Sequence, residues 1–188
     1  MKNQRNCIQI SLGCDNQRLP GYIGLDQLRR AGTDVICDLN RPLPFVSACA
    51  DHVYARSSME HVDKLIQLMT EAHRFLRPGG TLYIYAPHWG NPFYYSDPTH
   101  RRFFGLATLD YFLSPQEQVY RRVPVYERLD FRVVGVRLIF LSPFRPISWL
   151  MRGLQWIVNY RVPLQVFYEY HVSSLIPCYA VEYRLHRE

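Results

Sequence analysis

The sequence lacks the features that mark exported, disulfide-bonded or membrane-spanning proteins. Its 188 residues include five cysteines, an odd number with no C-x-x-C pair, so a disulfide framework and a structural zinc site are not expected. No apolar stretch reaches the ~20 residues that a transmembrane helix needs. The first residues, MKNQRN, are polar and do not resemble a signal peptide. We therefore expect a cytoplasmic protein.

Long runs of one charge are also missing. The chain has 22 Lys and Arg against 16 Asp and Glu, a net charge of +6, but its arginines are scattered. Nucleic-acid binding is therefore not indicated, whereas an anionic substrate or a membrane surface would suit this charge. The length and the 48% hydrophobic content are those of a single globular domain.

Near the start, a short apolar strand runs into a glycine turn and then a second strand that ends in an acid. This stretch, residues 7–26, reads CIQISLGCDNQRLPGYIGLD. Such a pattern is how α/β folds hold a nucleoside, because Gly13 lets backbone approach the ligand and Asp26 can bind two ribose hydroxyls. Pro20 and the short spacing before Tyr22 predict a trimmed first crossover without a helix. The acid also lies closer to Gly13 than the ~20 residues typical of a dinucleotide-binding unit, which argues against NAD.

Further strands and one helix follow before residue 87. Apolar runs predict strands over residues 33–38 and 51–55. Over residues 59–76 the apolar spacing changes to three- and four-residue steps, which predicts an amphipathic helix. The Pro-Gly-Gly turn at 78–80 ends this helix before a strand at 81–86. This alternation predicts an α/β fold, a Rossmann-like three-layer sandwich with a mostly parallel sheet.

The second half of the sequence is more aromatic. An irregular loop, HWGNPFYYSDPTHRRFF, precedes a short helix predicted at 106–113 and strands predicted at 131–141 and 178–186. Between these strands, residues 142–176 are rich in Trp, Tyr and Leu and are interrupted by Arg and Pro. This segment could be a core helix pair, a cap over the substrate or an interfacial helix. We expect a core or cap role, because aromatic stripes usually pack.

The order of these pieces resembles the short class I S-adenosylmethionine-dependent methyltransferases. The segments ISLGCDN, YIGLD, VICDLNRPLPF, DHVYARSSMEHV and HRFLRPGGTLYIYAPH follow one another, and LRPGGTLYIYAP after an amphipathic helix is the most specific of them. The resemblance covers residues 7–105 in detail and the last two strands more loosely. It implies one domain, a seven-stranded sheet with an antiparallel last strand, and S-adenosyl-L-methionine (SAM) as cofactor.

The resemblance also implies roles for the first two strand ends. Gly13 and the backbone of Cys14, Asp15 and Asn16 would line the methionine end of the cofactor, and Asp26 would bind the ribose hydroxyls. Asp15 departs from the family pattern, which has a second glycine there. An aspartate at this position brings a negative charge close to both the carboxylate and the ammonium of the cofactor. The affinity of the protein for the cofactor therefore depends on how the Asp15 side chain is accommodated.

Residues after the third and fourth strands would complete the cofactor site. By resemblance, Asp38 would accept a hydrogen bond from the adenine amino group, with Leu39 beside the ring. Arg56 and Ser57 would lie near the sulfonium and the aminoacyl group. A solvated strand end is the alternative for Asp38 and Arg56.

Three side chains of the aromatic loop are the candidates for acid–base chemistry. Methyl transfer to a hydroxyl or an amine is helped by a general base, and the loop offers His88, Asp97 and His100. The latter two could equally cap and pin the loop. The three side chains could also bind a metal ion, but zinc needs further ligands that do not follow at motif spacing, so no metal is expected.

These expectations combine into one leading function. We expect SAM-dependent methyl transfer to a hydroxyl or amine of a small molecule or of a glycan or lipid precursor. The alternative is a non-catalytic cofactor-binding protein of the same fold, suggested by Asp15. An oxidoreductase is disfavoured by the missing third glycine. The expected partner is a small-molecule or glycan substrate, without nucleic acid or a transmembrane segment, and peripheral membrane contact remains an alternative.

Overall fold

Seven strands form one sheet in the computed structural model, which describes residues 7–14, 16 and 18–188. The strands are β1 Gln9–Leu12, β2 Tyr22–Asp26, β3 Val35–Ile36, β4 Ala50–Arg56, β5 Leu76–Pro87, β6 Phe131–Ile139 and β7 Ala180–Arg187. Three α-helices accompany them: α1 Leu65–Phe75, α2 Arg145–Val158 and α3 Val162–Phe167. Short 3₁₀ turns occur at Met59–His61, Pro92–Ser96 and Thr108–Phe112. The predicted helix at 106–113 is the last of these turns.

The order of the strands confirms the predicted fold class. It is β3-β2-β1-β4-β5-β7-β6, with β1 to β5 parallel and β7 antiparallel to both of its neighbours. The chain moves from β1 outward to β2 and β3, then returns to the other side of β1 for β4. In α/β sheets such a switch point opens a crevice at the carboxyl ends of the strands. This is where a ligand is expected.

One face of the sheet forms the core with α1. Ile10, Val53 and Leu82 lie in one row across β1, β4 and β5, and all three are buried. The helix packs its buried residues Leu68, Met69, Ala72 and Phe75 on this face. Because successive side chains of a strand point to opposite faces of the sheet, the apolar residues of each strand face α1.

The helical layers are thinner than a three-layer sandwich predicts. The described residues between β1 and β2, β2 and β3, and β3 and β4 contain no helix. The sheet face opposite α1 instead carries half-buried aromatic side chains, among them Tyr22, Tyr54 and Tyr83. The rings of Tyr54 and Tyr83 are parallel, with centroids 5.0 Å apart, and Tyr22 meets Tyr54 edge-on. Stacked aromatics thus cover part of the face where helices were expected.

Helix α1 begins six residues later than the sequence predicts. The Oδ1 of Asn40 accepts hydrogen bonds from the backbone N–H groups of Asp63 and Lys64, at 2.7 and 3.0 Å. These bonds hold the chain in a non-helical connection just before Leu65. The preceding Glu60 and His61 therefore lie in a separate turn after β4 and not on the helix surface.

Helices α2 and α3 lie along the edge of the sheet. Strand β6 is an edge strand, and its free backbone groups meet side-chain amides. Asn159 accepts from Leu138 N and donates to Leu138 O, both at 2.8 Å, and Gln165 donates to Val136 O at 2.8 Å. Covering an edge in this way blocks pairing with another strand. No helix in the described part of the chain is long and apolar enough to cross a membrane.

Removing the Asn159 amide should destabilise the fold. Asn159→Ala leaves the backbone N–H and C=O of Leu138 without partners, which costs about 1–3 kcal/mol for each buried group. We expect the urea midpoint to fall accordingly, with an unchanged slope. Gln116→Ala, at an exposed turn position, is the matched control and should leave the midpoint in place. Equal midpoints for the two variants would contradict the edge-covering role of Asn159.

Candidate functional site

A cavity of about 820 Å³ lies at the carboxyl ends of β1 to β4. Its walls come from the turns after these strands and from the loop after β5. The residues that line it include Gly13, Cys14, Asp26, Asp38, Leu39, Arg56, Ser57, Ser58, His61, Thr99 and Arg101. Most of the residues predicted to bind the cofactor therefore share one cavity.

The turn after β1 requires glycine at its first position. Gly13 has φ = +70°, a left-handed conformation that residues with a side chain rarely adopt. A Cβ at this position would also collide with the Cβ of Ser58. The N–H groups of Gly13 and Cys14 both bond to Leu25 O, at 2.9 and 3.1 Å. The turn is thereby held against β2 while its open side faces the cavity.

Two acids stand at the ends of β2 and β3. The Oδ1 of Asp26 accepts from Leu28 N at 3.0 Å, which orients the carboxylate at the tip of β2. The Oδ1 of Asp38 accepts from Asn40 N at 2.9 Å in a similar turn, and buried Leu39 lies between these two residues. Both carboxylates line the cavity. Asn16 is exposed and does not line it, and Asp15 lies outside the described residues.

The end of β4 contributes polar and strained residues. Ser57 has φ = +50°, an uncommon conformation for a residue other than glycine. Its N–H bonds to Tyr85 O at 2.8 Å, and the guanidinium of Arg56 lies over the Tyr85 ring, 5.1 Å from its centroid. The buried Ser58 Oγ has no hydrogen-bond partner. Strain and an unsatisfied hydroxyl at a cavity wall are typical of ligand sites.

His61 lines the cavity and belongs to a cluster that the sequence patterns did not reveal, whose other members, Glu60, His100 and Asp97, do not line it. Glu60, His61 and His100 each offer a side-chain oxygen or nitrogen within 4.8 Å of the others. Asp97 joins them through its Oδ2, 3.7 Å from His100 Nε2. Asp97 and His100 were predicted, whereas Glu60 and His61 fall within the helix predicted over residues 59–76 and were not singled out. Their position directly after a parallel strand is the signal that could have identified them.

Hydrogen bonds fix the tautomer of both histidines. His100 Nδ1 lies 2.8 Å from Tyr94 O, a carbonyl that can only accept, so Nδ1 carries the proton. Thr99 Oγ1 donates to Asp97 Oδ1 at 2.6 Å and must therefore accept from His61 Nδ1 at 2.8 Å. In the described part of the chain neither Nε2 has a hydrogen bond, and that of His100 faces Asp97 Oδ2 at 3.7 Å. Burial, with a smaller contribution from His100, lowers the pKa of His61 and favours this neutral form.

Glu60 is the most deeply buried member of the cluster. It is 1% exposed, and its Oε2 has no hydrogen-bond partner. Burial raises the pKa of Glu60 to about 7. The backbone carbonyl of Glu60 accepts from Arg101 N and Arg102 N, at 2.8 and 3.1 Å, which ties this turn to the loop after β5. A buried carboxylate without a partner is costly and rare outside functional sites.

His88, the third predicted catalytic residue, lies away from this cluster. It is completely buried and does not line the cavity. Its Nδ1 accepts from Gly90 N at 3.0 Å, so the neutral ring carries its proton on Nε2, 3.2 Å from Glu169 Oε2. Glu169 also accepts from Leu106 N at 2.9 Å. These contacts connect the loop after β5 to the turn after α3 and support a structural role.

These features fit the cofactor that the resemblance implies. A glycine turn that a Cβ would block, two carboxylates at successive strand ends and the apolar side chain of Leu39 line one cavity of adequate size. The unpartnered Ser58 Oγ adds a polar group near the turn. A nucleoside with a charged aminoacyl tail requires these same types of group.

The chain is similar to known proteins in part of its sequence and in its fold. The family model of the methyltransferase domain matches residues 22–84, from β2 into β5. No protein of curated function matches the sequence.

Three solved structures illustrate the similarity of the fold. A complex between the Haloferax volcanii Trm112 methyltransferase activator and a methyltransferase gives a TM-score of 0.59 at 15% identity, covering 100% of this chain and 84% of that one. An S-adenosylmethionine-dependent methyltransferase from Mesorhizobium loti gives 0.53 at 16%, covering 96% and 90%. Geranyl diphosphate C-methyltransferase from Streptomyces coelicolor, solved with Mg²⁺, geranyl diphosphate and S-adenosyl-L-homocysteine, gives 0.53 at 14%, covering 97% and 71%.

The matched segment contains the two acids, Asp26 and Asp38, and the end of β4, whereas the glycine turn at Gly13 lies before it. Residues 22–84 thus match the methyltransferase-domain family, and the fold of the chain is the one found in S-adenosylmethionine-dependent methyltransferases.

Proposed function

We propose that the chain transfers the methyl group of SAM to a hydroxyl or amine of a small molecule or of a glycan- or lipid-linked precursor. The observation that carries this proposal is the continuity of the cavity. The glycine turn, the two acids and His61 line the same cavity, and Glu60 and His100 lie beside His61. A cofactor and an acceptor can thus meet within one cleft.

The residues at the ends of β1 to β4 are assigned to the cofactor. Asp26 would accept hydrogen bonds from the ribose hydroxyls, and Asp38 from the adenine amino group, with Leu39 against the ring. Gly13 and Cys14 would border the methionine end, with Arg56 and Ser57 across the cavity from them. Charged hydrogen bonds of this kind contribute about 1.5–3 kcal/mol each.

When bound, SAM supplies a methyl group that its sulfonium has already activated. A lone pair on the acceptor oxygen or nitrogen forms the new bond to the methyl carbon. The carbon–sulfur bond breaks, and its electron pair stays on sulfur to give S-adenosyl-L-homocysteine. The protein therefore has to align the acceptor, exclude water and assist loss of the acceptor's proton.

The cluster around His61 is suited to assist that proton loss. The Nε2 lone pairs of His61 and His100 can take the proton directly, or they can hold a cation that lowers the pKa of the acceptor. Asp97 orients both rings through Thr99 and through its contact with His100. Buried His88 lies outside the cavity, so we do not assign it to the reaction.

Cations on the cavity wall support an anionic acceptor. Arg56 and Arg101 both line the cavity. Arg101 also pairs with Asp63, whose Oδ1 is 3.2 Å from its Nε, but both side chains are more than half exposed. Such solvent-exposed pairs are weak and easily exchanged for another anion. A phosphate-linked sugar or lipid precursor would satisfy this requirement.

Replacing Asp26 should weaken cofactor binding more than it changes stability. Asp26→Ala removes the carboxylate at the tip of β2, and we expect SAM affinity to fall by about 10–100-fold. Isothermal titration calorimetry with SAM, S-adenosyl-L-homocysteine and NAD measures this directly. Exposed Glu127 supplies the control variant Glu127→Ala, which should bind like the parent. Saturable binding of NAD, with no heat from either methionine cofactor, would refute the assignment.

Replacing His100 should affect turnover and leave cofactor binding intact. His100→Asn removes an imidazole that meets the acceptor's proton, so we expect kcat to fall by about 100-fold or more and SAM affinity to stay within about twofold, a change of only ~0.4 kcal/mol. Transfer of radiolabelled methyl from SAM to a panel of phosphorylated sugars and lipid precursors provides the assay. His171→Asn, at an exposed position after α3, is the control. Cofactor binding without transfer to any acceptor by the parent would favour a non-catalytic binding protein.

A further inference from the structure

We infer that Glu60, His61 and His100 form a binding site for a divalent transition-metal ion beside the cavity. Three potential ligand atoms from these residues lie within 4.8 Å of one another. They come from two different connections, the turn after β4 and the loop after β5, which the backbone bonds from Glu60 O to Arg101 N and Arg102 N hold together. The cluster is thus part of the folded framework and not a chance contact of mobile side chains.

The second contacts of both histidines are those of metal-ligating imidazoles. A ligating histidine normally donates its other ring N–H to a carbonyl or to a carboxylate-linked group, which fixes the ring and its tautomer. His100 donates from Nδ1 to Tyr94 O, and His61 donates from Nδ1 to Thr99 Oγ1, which itself donates to Asp97. Both Nε2 atoms are consequently free to bind a cation.

The buried carboxylate supplies the third ligand and the main energetic reason for a cation. Glu60 is 1% exposed and its Oε2 lacks any hydrogen-bond partner, while Arg101 pairs instead with Asp63. A metal ion would satisfy this oxygen and compensate its charge. Asp97, the other acid of the cluster, is held by hydrogen bonds from the hydroxyl and the backbone N–H of Thr99.

The donor set indicates which metal would bind. Two imidazole nitrogens and one carboxylate suit Zn²⁺ or a similar first-row ion, whereas Mg²⁺ prefers an all-oxygen, octahedral site. In a tetrahedral site, ligand bonds of ~2.0–2.2 Å place two ligand atoms about 3.3–3.6 Å apart, so the ligand atoms, which now lie within 4.8 Å of one another, have to approach by up to about 1.5 Å on binding. Three protein ligands leave a position open toward the cavity, as in catalytic zinc sites.

The catalytic use of this ion rests on the proposed function, whereas its binding does not. A cation at this place would lower the pKa of an acceptor hydroxyl, and the proton would then pass to water instead of to an imidazole. The electron pair of the broken carbon–sulfur bond would still stay on the sulfur of the cofactor product. Binding of the metal alone is accordingly the direct test.

The test uses metal-stripped protein without SAM or acceptor. Titration with Zn²⁺, and with Co²⁺ as a spectroscopic probe, should show one site per chain, and Mg²⁺ should bind much more weakly. Glu60→Gln should lower Zn²⁺ affinity by at least about a hundredfold, since removal of mere supporting groups already costs 10–100-fold. Glu182→Gln is the matched control, because the Oε2 of Glu182 is likewise buried without a partner but lies on β7.

Thermal unfolding separates this role from a structural one. With the metal absent, Glu60→Gln should be at least as stable as the parent, because the substitution removes an uncompensated buried carboxylate. Zn²⁺ should raise the Tm of the parent and of Glu182→Gln, but not that of Glu60→Gln. No saturable binding of Zn²⁺ or Co²⁺ to the parent, or unchanged affinity in Glu60→Gln, overturns the proposal. Failure of SAM to bind would instead count against the proposed function and leave the metal site standing.

A second inference comes from the outer face of α2, which we propose docks on an anionic lipid surface. Trp149 and Trp156 are 74% and 71% exposed, and Leu150 and Ile157 are also exposed. Trp149 and Trp156 are seven residues apart, as are Leu150 and Ile157, so each pair lies on one line along the helix. Trp149, Leu150 and Ile157 line a groove on this side of α2. The opposite side of α2 holds Gln155, whose Oε1 accepts a hydrogen bond from Phe140 N, directly after β6. The helix therefore presents its apolar side to solvent.

Charge identifies the partner of this surface. Residues 131–168 contain five arginines and no acidic residue. Arg145 and Arg152 lie beside the two tryptophans on the helix and are exposed. Anionic lipid headgroups complement such a margin of arginines, and Trp is favoured at the boundary between headgroups and acyl chains. A second copy would present the same cations and no acid, which disfavours a symmetric dimer through α2.

Vesicle flotation tests this docking on the full chain. The parent should float with vesicles of phosphatidylcholine and phosphatidylglycerol, less with phosphatidylcholine alone, and less again at high salt. The double variant Trp149→Ser, Trp156→Ser should lose at least about tenfold in vesicle partitioning, because each indole contributes a large apolar area. Val46→Ser, at a position that is 75% exposed on a loop, is the control.

The tryptophan emission provides a second reading of the same experiment. Vesicles should shift the emission of the parent to the blue, and the double variant, which keeps only Trp89, should show no shift. Absence of flotation by the parent overturns the proposal. A dimer in solution that the double variant converts to monomers, without any vesicle binding by the parent, assigns the surface to a second copy instead.

Discussion

The parallel pairing of β2, β1 and β4 is the constraint on which the site depends. Parallel strands end at the same edge of a sheet, so residues distant in sequence meet there. Gly13 and Asp26 reach this edge in register, and Arg56 follows on the next strand. The left-handed Gly13 turn keeps the edge open, since a side chain there would collide with Ser58. The proposed cofactor site and the cluster of Glu60, His61 and His100 both depend on this geometry.

The sequence was sufficient to predict residues that line one cavity at the ends of β1 to β4. Two features are local signals that do not depend on distant packing. One is a strand that runs into a glycine, and the other is an acid at or just after the end of a strand, as at Asp26 and Asp38. The antiparallel last strand followed from the family resemblance, and the structure confirms it. The thin helical layers were foreseeable only at the first crossover, where Pro20 opposes a helix.

The cluster around His61 could not be predicted, because it depends on contacts far apart in sequence. Apolar spacing extends back to Met59 and therefore predicted a helix through Glu60 and His61. Asn40, 23 residues before Asp63, holds the chain out of that helix. The predicted core or cap role of residues 142–176 also rested on composition alone. Periodicity shows that α2 is amphipathic, but only the fold shows that Gln155 faces β6 and Trp149 faces solvent.

The central claim is that one cavity joins a SAM site to a cluster of Glu60, His61 and His100. A crystal structure of the protein with S-adenosyl-L-homocysteine and Zn²⁺ tests it most directly. We predict the ribose at Asp26, the adenine beside Leu39 and an anomalous zinc peak between the two imidazoles and the Glu60 carboxylate. S-adenosyl-L-homocysteine bound elsewhere, or bound in this cavity with its sulfur atom turned away from His61, would contradict the account.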